Sequence, residues 1–160
     1  MDVKKLYDDY EAYIIEMRRW FHRHPELSLK EQNTSRKIQE ELGGMGIPFE
    51  MLAPNCGVAA TIKGGKEGKT IALRAAIDAL PVKEETGLEF ASENEGAMHA
   101  CGHDAHIAMM LGAAKVLNEV KEELAGTVIC VFQVAEETGF GYKEVLDYFD
   151  AIGGVDSVIG

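Results

Sequence analysis

The chain has 160 residues, of which 46% are hydrophobic and 27% are charged, and its formal net charge is −11 at pH 7. This length predicts one domain with a sizeable core, and the acidic balance excludes the basic surface that nucleic-acid binding requires. No apolar run approaches the ~20 residues of a membrane span, and the N-terminus is charged where a signal peptide would be apolar. The three cysteines form no C-x-x-C pair, which favours a reducing compartment. We therefore expect a cytoplasmic protein without nucleic-acid or membrane partners.

The N-terminal segment predicts two helices. Apolar side chains recur at helical spacing from Leu6 to Phe21, and Pro25 biases the residue before it away from helical dihedral angles. Ser28 followed three residues later by Glu31 matches a capping box, in which two side chains cap the start of a second helix. That helix should end at the glycines of residues 43–44.

The rest of the chain alternates strands and helices. Three β-like segments, PFEML, GVAATIKG and KTIALRAAI, precede a long helix predicted from about residue 104 to residue 124. TVICVF is apolar throughout, as in strands buried on both faces, and a short helix over about residues 142–149 leads to the strand-like DSVIG. The pattern indicates an α/β three-layer sandwich with a mixed, largely parallel sheet. No linker divides the chain, so we expect one domain or part of one.

The segment MHACGHDAH holds three of the five histidines. His99, Cys101 and His103 are each two residues apart, a spacing that points side chains to one side of an extended segment. Thiolate and imidazole ligands suit zinc and its neighbours in the periodic table, although a purely structural role for the segment stays open. We expect a loop or strand end here, with Asp104 capping the next helix and His106 contacting a ligand or the substrate.

Acidic side chains follow two of the predicted strands. Glu136 and Glu137 end FQVAEE, at the position where open α/β sheets bind ligands. A hydrolytic metal centre needs one carboxylate to bind metal and a second to take a proton from water, although glutamates also occur at strand ends without such a role. Asp78 follows a strand in RAAIDALP, where it can orient a metal ligand from behind or start a turn.

The glycine-rich segment GGKEGKT resembles a phosphate-binding P-loop. Lys63 stands five residues before Gly68, where that motif requires a glycine, and the segment joins two strands instead of opening a helix. The sequence therefore gives no reason to expect a nucleotide cofactor.

Four segments together, FHRHPELSLKE, ALRAAIDALPVKEETGLEF, MHACGHDAH and FQVAEE, carry a family resemblance that covers essentially the whole chain. In order and spacing they resemble the N-terminal part of the hippurate hydrolase and N-acyl-amino-acid amidohydrolase family. That family is similar to auxin-conjugate hydrolases and belongs to a superfamily of aminoacylases and carboxypeptidases with two metal ions per site.

The resemblance implies a role for each matching residue. Cys101, His103 and Glu137 would be metal ligands, and Glu136 would be the general base that activates the attacking water. Asp78 matches a carboxylate of the family's R-A-D-x-D-A-L-P motif. The implied reaction is hydrolysis of the amide that joins an acyl group to an amino acid, with zinc, manganese, cobalt or nickel as the divalent metal.

The sequence departs from the family pattern at three points. Ala76 stands where the motif usually has its first aspartate, which removes a carboxylate beside the site. Val134 replaces the proline of F-Q-P-A-E-E. Family members are more than twice as long, and two further histidine ligands and an inserted domain with dimer contacts lie beyond this length. We therefore expect the N-terminal part of a catalytic domain, which holds one metal ion or none and is weakly active or inactive alone.

Two other hypotheses follow from the same residues. The chain can be a non-catalytic domain that binds one metal ion or a partner chain, forming homo-oligomers through exposed apolar patches. Alternatively, Cys101 can be a nucleophile activated by His103, although the adjacent glutamates have no evident role in such a thiol hydrolase. Alkylation of Cys101 that zinc blocks would favour ligation, and alkylation that metal leaves unchanged would favour the nucleophile.

Overall fold

The computed structural model describes residues 3–160, which form four α-helices and a five-stranded sheet. The helices are α1 (Val3–Arg23), α2 (Gln32–Gly44), α3 (His103–Glu119) and α4 (Tyr142–Ala151). The strands are β1 (Phe49–Leu52), β2 (Gly57–Lys63), β3 (Lys66–Ala76), β4 (Ala125–Gln133) and β5 (Ser157–Ile159). Each helix and strand overlaps a predicted segment, although α3 ends at Glu119 and not near residue 124, and α2 begins only at Gln32. No helix within residues 3–160 is long and apolar enough to cross a membrane.

The sheet is mixed, which confirms the predicted α/β class. Its strand order is β1-β2-β4-β3-β5. β1 pairs with β2 and β2 with β4 in antiparallel fashion, whereas β3 is parallel to both β4 and β5. The late strand β4 therefore lies between β2 and β3, which precede it in the chain.

Helices cover both faces of the sheet and give it three layers. Along β4, Cys130 and Phe132 point into the core formed with α1, α2 and α3. The alternate residues Ile129 and Val131 point to the opposite face, where they pack near Phe149 of α4. Because successive side chains of a strand point to opposite faces, a strand covered on both sides is apolar throughout.

The connection between β2 and β3 crosses over the start of β4. A Cβ atom on Gly64 would lie 2.5 Å from the Leu124 carbonyl oxygen, and one on Gly68 would lie 2.7 Å from the Gly126 nitrogen. Gly126 itself has a φ of +92°, and its Cβ would lie 2.0 Å from the Lys69 carbonyl oxygen. Close backbone contact therefore explains the glycines of the P-loop-like segment.

The predicted capping box of α2 is wrong. The helix begins at Gln32. In its first turn the Thr34 amide donates to the carboxylate of Glu26 at 2.7 Å. Ser28 and Glu31 form no side-chain cap, because each bonds to a distant part of the chain. A capping box depends only on local sequence, and here tertiary partners take both side chains.

The predicted cap of α3 is also wrong. Gly102 occupies the N-cap position with a φ of +104°, and α3 begins at His103. Asp104 lies within the first turn, where its carboxylate accepts from Arg18 at 3.0 Å and from His22 at 2.7 Å. The aspartate therefore ties the start of α3 to α1.

Candidate metal centre

The sequence-predicted site residues gather at one edge of the sheet. Asp78 follows the end of β3, and Glu136 and Glu137 follow the end of β4 in a single 3-10 turn, Glu136–Thr138. The neighbouring strands β3 and β4 are parallel, so both end at this edge. His103, the first residue of α3, completes the group. Ligand sites of open α/β sheets lie at such an edge.

Three side chains form a cluster suited to a metal ion. The ligand atoms of Cys101, His103 and Glu137 all lie within 4.8 Å of one another. Cys101 is exposed, His103 is buried and Glu137 is partly buried. The Oε1 atom of Glu137 is buried and has no hydrogen-bond partner. Within the described residues, this is the one group of three or more such side chains that can share an ion.

The ring of His103 is fixed by Asp78. Its Nδ1 donates to the Asp78 carbonyl oxygen at 2.8 Å, and the Asp78 carboxylate lies 3.3 Å from the same nitrogen. A proton on Nδ1 leaves Nε2 as the free acceptor, and a carbonyl or carboxylate behind Nδ1 is the usual support of a metal-binding histidine. Nε2 lies 3.9 Å from Oε1 of Glu137, the oxygen without a partner.

Asp78 supports both sides of the cluster. Its Oδ2 accepts from the Ser28 hydroxyl at 2.7 Å and from the Glu137 amide at 3.0 Å. Burial acts to raise the pKa of Asp78, but hydrogen bonds from His103, Ser28 and Glu137 lower it overall. Of the two roles that the sequence leaves open, this geometry favours orientation of a ligand over the start of a turn.

The pKa values of the two neutral candidate ligands are also shifted. Burial acts to lower the pKa of His103, but hydrogen bonds to Asp78 raise it overall. Burial and the Glu137 carboxylate raise the pKa of Cys101. Both shifts arise in acidic surroundings, which attract a cation and disfavour a free thiolate.

Glu136 differs from Glu137 in its exposure. Its side chain is 39% exposed, and its Oε2 lies 3.5 Å from Nε2 of His103. It is therefore close to the cluster and open to solvent. Such a carboxylate can exchange a proton with a water molecule at the cluster.

The predicted one-sided arrangement of three ligands is wrong for His99. Its side chain is 5% exposed, neither ring nitrogen has a hydrogen-bond partner, and it lies outside the three-residue cluster. The spacing argument assumes an extended backbone, whereas the chain turns at His99, where the Ala100 amide donates to the Met98 carbonyl oxygen at 2.8 Å, and bends at Cys101. Burial lowers the pKa of His99 to about 4. The ring of His106 lies 5.6 Å from that of His103.

Sequence interpretation missed Ser28 and Glu31 as site residues. Ser28 bonds to Asp78, as described above. Glu31 is fully buried, and its Oε1 accepts from the Ala135 amide at 2.8 Å. Burial raises the pKa of Glu31, although the Ala135 hydrogen bond opposes the shift. Both residues lie in FHRHPELSLKE, one of the segments that carry the family resemblance, but the local pattern of this segment indicates only a helix cap.

A second missed group lies behind α3. The Nδ1 of His22 lies 2.7 Å from Oδ2 of Asp104, and its Nε2 lies 3.1 Å from Oε1 of Glu84. Glu84 also accepts from the Ser92 amide at 2.6 Å. This buried group joins α1, the loop between β3 and α3, and the residue next to His103.

Fold and cluster together define an α/β protein with a candidate metal centre at the carboxyl ends of its strands. Residues 72–160 match peptidase family M20/M25/M40. The chain belongs to this family, which confirms the resemblance stated from its four sequence segments.

Relatives with known names are considerably longer than this chain. The N-acyl-L-amino acid amidohydrolase of Geobacillus stearothermophilus is 41% identical over 99% of this chain and 43% of its own length. The thermostable carboxypeptidase 1 of Saccharolobus solfataricus is 45% identical over 99% of this chain and 42% of its own. The crystal structure of Bacillus subtilis YXEP, described as a dinuclear metal binding peptidase from the M20 family, has a TM-score of 0.88 and 44% identity. It covers 94% of this chain, which spans 42% of that protein.

Proposed function

We propose that this chain forms part of the catalytic domain of a metal-dependent amidohydrolase that cleaves N-acyl amino acids or small peptides. The observation that carries the proposal is the cluster of Cys101, His103 and Glu137, with ligand atoms within 4.8 Å of one another and Glu136 beside it. The names of the amidohydrolase and carboxypeptidase relatives support an amide bond as the target. The chain spans about two fifths of those relatives, so the proposal concerns the whole protein's activity.

The residues present fit one divalent metal ion. Sulfur, imidazole nitrogen and carboxylate oxygen are the usual zinc ligands, and the unpartnered Oε1 of Glu137 faces Nε2 of His103. Zinc, manganese, cobalt and nickel all suit such a set. When bound, the ion would act as a Lewis acid that polarises the substrate carbonyl and lowers the pKa of water.

The side chains around the cluster divide the proton transfers. Glu136 takes a proton from the water that attacks the amide carbon, and delivers it to the amine nitrogen as the carbon–nitrogen bond breaks. Asp78 holds the proton on Nδ1 of His103, which keeps Nε2 free as an acceptor. The Asp78 carboxylate also holds the Glu137 amide and so fixes the turn that carries both glutamates.

The surroundings of Cys101 disfavour the thiol-hydrolase hypothesis. A cysteine nucleophile needs a lowered pKa, which positively charged neighbours provide. Burial and nearby carboxylates instead raise the pKa of Cys101. The same carboxylates attract a cation, and the Cys101 sulfur lies within 4.8 Å of ligand atoms of His103 and Glu137, so a metal ligand is the better assignment for this thiol.

A second candidate function is a non-catalytic domain that binds one metal ion or a partner. The open hollow of about 330 Å³ beside β3 and α3 supports it, because Met109 and Ile159 line that hollow and are more than half exposed. Exposed apolar surface favours association with another chain.

A cytoplasmic location, homo-oligomers and the lack of nucleic-acid partners stay predictions of the sequence.

Metal content and amide hydrolysis measured on the same sample test the proposal. We expect about one zinc ion per chain after purification without chelators. Cys101→Ser should lose the zinc, whereas the matched control Cys56→Ser should keep it. Any hydrolysis of hippurate or N-acetyl amino acids should vanish in Glu136→Gln with the zinc retained.

Three outcomes separate the candidates. Zinc bound by Cys101 together with hydrolysis that needs Glu136 supports the amidohydrolase. Stoichiometric zinc without turnover supports a partial amidohydrolase site and means that this chain by itself is a non-catalytic metal-binding domain. Hydrolysis that survives chelators and stops on alkylation of Cys101 would overturn both in favour of a thiol hydrolase.

A further inference from the structure

Glu31 is a buried carboxyl group that does not cap helix α2. It directly precedes the helix, yet it makes no side-chain cap, because Glu26 fills that role at Thr34. Its side chain has 0% exposure, and its Oε2 has no hydrogen-bond partner. Burial of a carboxyl group is unfavourable unless its hydrogen bonds compensate. Its one side-chain bond in the structure goes to Ala135, 104 residues away.

Ala135 has a backbone conformation that alanine disfavours. Its φ is +54° and its ψ is 35°, in the left-handed region, where a Cβ atom crowds the following carbonyl. Within the described residues, Leu29 is the other non-glycine residue with positive φ, at +64°. Leu29 lies two residues before Glu31, so both strained residues lie in the two loops that Glu31 joins. Such conformations persist where the surroundings hold them, and they cluster at functional sites.

The conformation of Ala135 sets the direction of the turn that follows. Its carbonyl accepts from the Phe140 amide at 3.0 Å and from the Thr138 hydroxyl at 3.2 Å. The Glu31 carboxylate holds its amide. The backbone N–H and C=O groups of Ala135, directly before Glu136 and Glu137, are therefore both held by hydrogen bonds.

The same short segment supports the opposite side of the site. Ser28 donates to Asp78, which holds the ring of His103 and the Glu137 amide. Ser28 and Glu31 thus contact the supports of both strand ends. This explains why neither side chain caps α2.

We propose that Glu31 is a positioning residue of the candidate metal centre, which holds the Ala135 amide in its left-handed conformation and thereby aims Glu136 and Glu137. The proposal rests on the proposed function only where metal binding is the readout. The hydrogen bond of its side chain goes to a backbone amide, so Glu31 acts through the backbone.

Two substitutions at Glu31 separate the hydrogen bond from the charge. Glu31→Gln keeps an acceptor for the Ala135 amide, and its zinc affinity should stay close to that of the unchanged chain. Glu31→Leu removes the acceptor and should weaken zinc binding about 10- to 100-fold, as loss of an outer partner of a metal site does. Zinc affinity is measured by competition with a chromophoric chelator.

A control and a rescue variant exclude a general loss of stability. Ile38→Ala removes a fully buried core side chain of α2, and the zinc affinity of its folded form should change by no more than about twofold. Ala135→Gly in the Glu31→Leu background should restore most of the affinity, because glycine adopts positive φ without help. Failure of this rescue, or an equal loss in Ile38→Ala, would overturn the proposal in favour of a structural role.

Hydrogen exchange of the Ala135 amide gives a test that needs no metal. In the metal-free chain this amide should exchange slowly in the unchanged protein and in Glu31→Gln, and quickly in Glu31→Leu. If the unchanged chain binds no zinc, the proposed function fails while the exchange experiment still tests Glu31. If zinc binds equally to Glu31→Leu and the amide stays protected, this inference alone fails.

Discussion

The two ends of strand β4 differ in the interactions that determine their residues. Close backbone contacts do so at its start, and buried polar side chains do so at its end. Where β4 begins, Gly64, Gly68 and Gly126 allow one strand connection to cross the next strand at contact distance. Within the described residues, six buried side-chain atoms have no hydrogen-bond partner, and five of them, on Glu31, Asp78, His99 and Glu137, belong to the site where β4 ends. Buried polar atoms without partners are rare in folded proteins and need a specific explanation. The glycine-rich end, which resembles a phosphate loop, is therefore explained by packing, whereas the end with unpartnered polar atoms is the one that fits the proposed ligand site.

The largest expected effect concerns the packing end. Gly126→Ala places a Cβ atom 2.0 Å from the Lys69 carbonyl at a φ of +92°. We expect the free energy of unfolding to fall by about 3–5 kcal/mol, from backbone strain and overpacking together. Urea unfolding measures this loss, and Gly43→Ala is the control, since its Cβ would meet nothing within 4 Å. If the zinc affinity of folded Gly126→Ala also fell strongly, the two ends would not be independent.

A smaller loss of stability should follow from disrupting the buried hydrogen-bonded group of His22, Glu84 and Asp104. Glu84→Ala removes the carboxylate that bonds to Nε2 of His22 and to the Ser92 amide, and leaves both groups without this hydrogen-bond partner. We expect unfolding free energy to fall by about 2 kcal/mol, the scale of a buried donor left unpaired. Glu85→Ala, at an exposed neighbouring position, should leave stability unchanged. Thermal unfolding of the three proteins checks the ranking, and equal stability would contradict the importance of the group.

The support of Asp78 should affect metal binding more than stability. Ser28→Ala removes one of the donors to the Asp78 carboxylate. Zinc affinity should fall about 10-fold, the lower end of the effect of an outer partner. Ser157→Ala, at an exposed position of β5, is the control. An unchanged affinity in Ser28→Ala would mean that Asp78 needs no support from the N-terminal segment.

The smallest expected effect is a pH dependence at Glu31. Because burial raises the pKa of Glu31 above its ordinary 4.5, the folded chain binds this proton more tightly than the unfolded chain. Stability from this group is complete below pH 4.5 and decreases as pH rises through the raised pKa. Glu31→Gln should remove this decrease, so its stability relative to the unchanged chain should increase with pH. Parallel curves for the two proteins would show that Glu31 is ionised alike in both states.

Sequence patterns predicted local features well and distant partners poorly. The helices and strands followed from periodicity and from residues such as Pro25, because these signals act within a few neighbours. The caps of α2 failed because Ser28 and Glu31 bond to residues 50 and 104 positions away. No local pattern contains such partners.

The candidate site was predicted in its composition but not in its support. Cys101, His103 and Glu137 followed from ligand chemistry and family resemblance, and the structure brings their ligand atoms together. His99 was misplaced because the spacing rule assumed an extended backbone, whereas the chain turns between Met98 and Ala100. The position of β4 between β2 and β3 also had no sequence signal, since strand pairing is decided by contacts far apart in the chain.

The insertion of β4 between two earlier strands sets an order of events during protein synthesis. β2 and β3 pair with β4 and not with each other, so neither ladder can form until residues 125–133 have been made. About 50 residues separate the end of β3 from the start of β4, which corresponds to roughly 2–10 s of elongation at ~5–20 residues per second. For that interval the edge of β3 that will pair with β4 presents unpaired N–H and C=O groups, which exposes the nascent chain to pairing with the wrong strand.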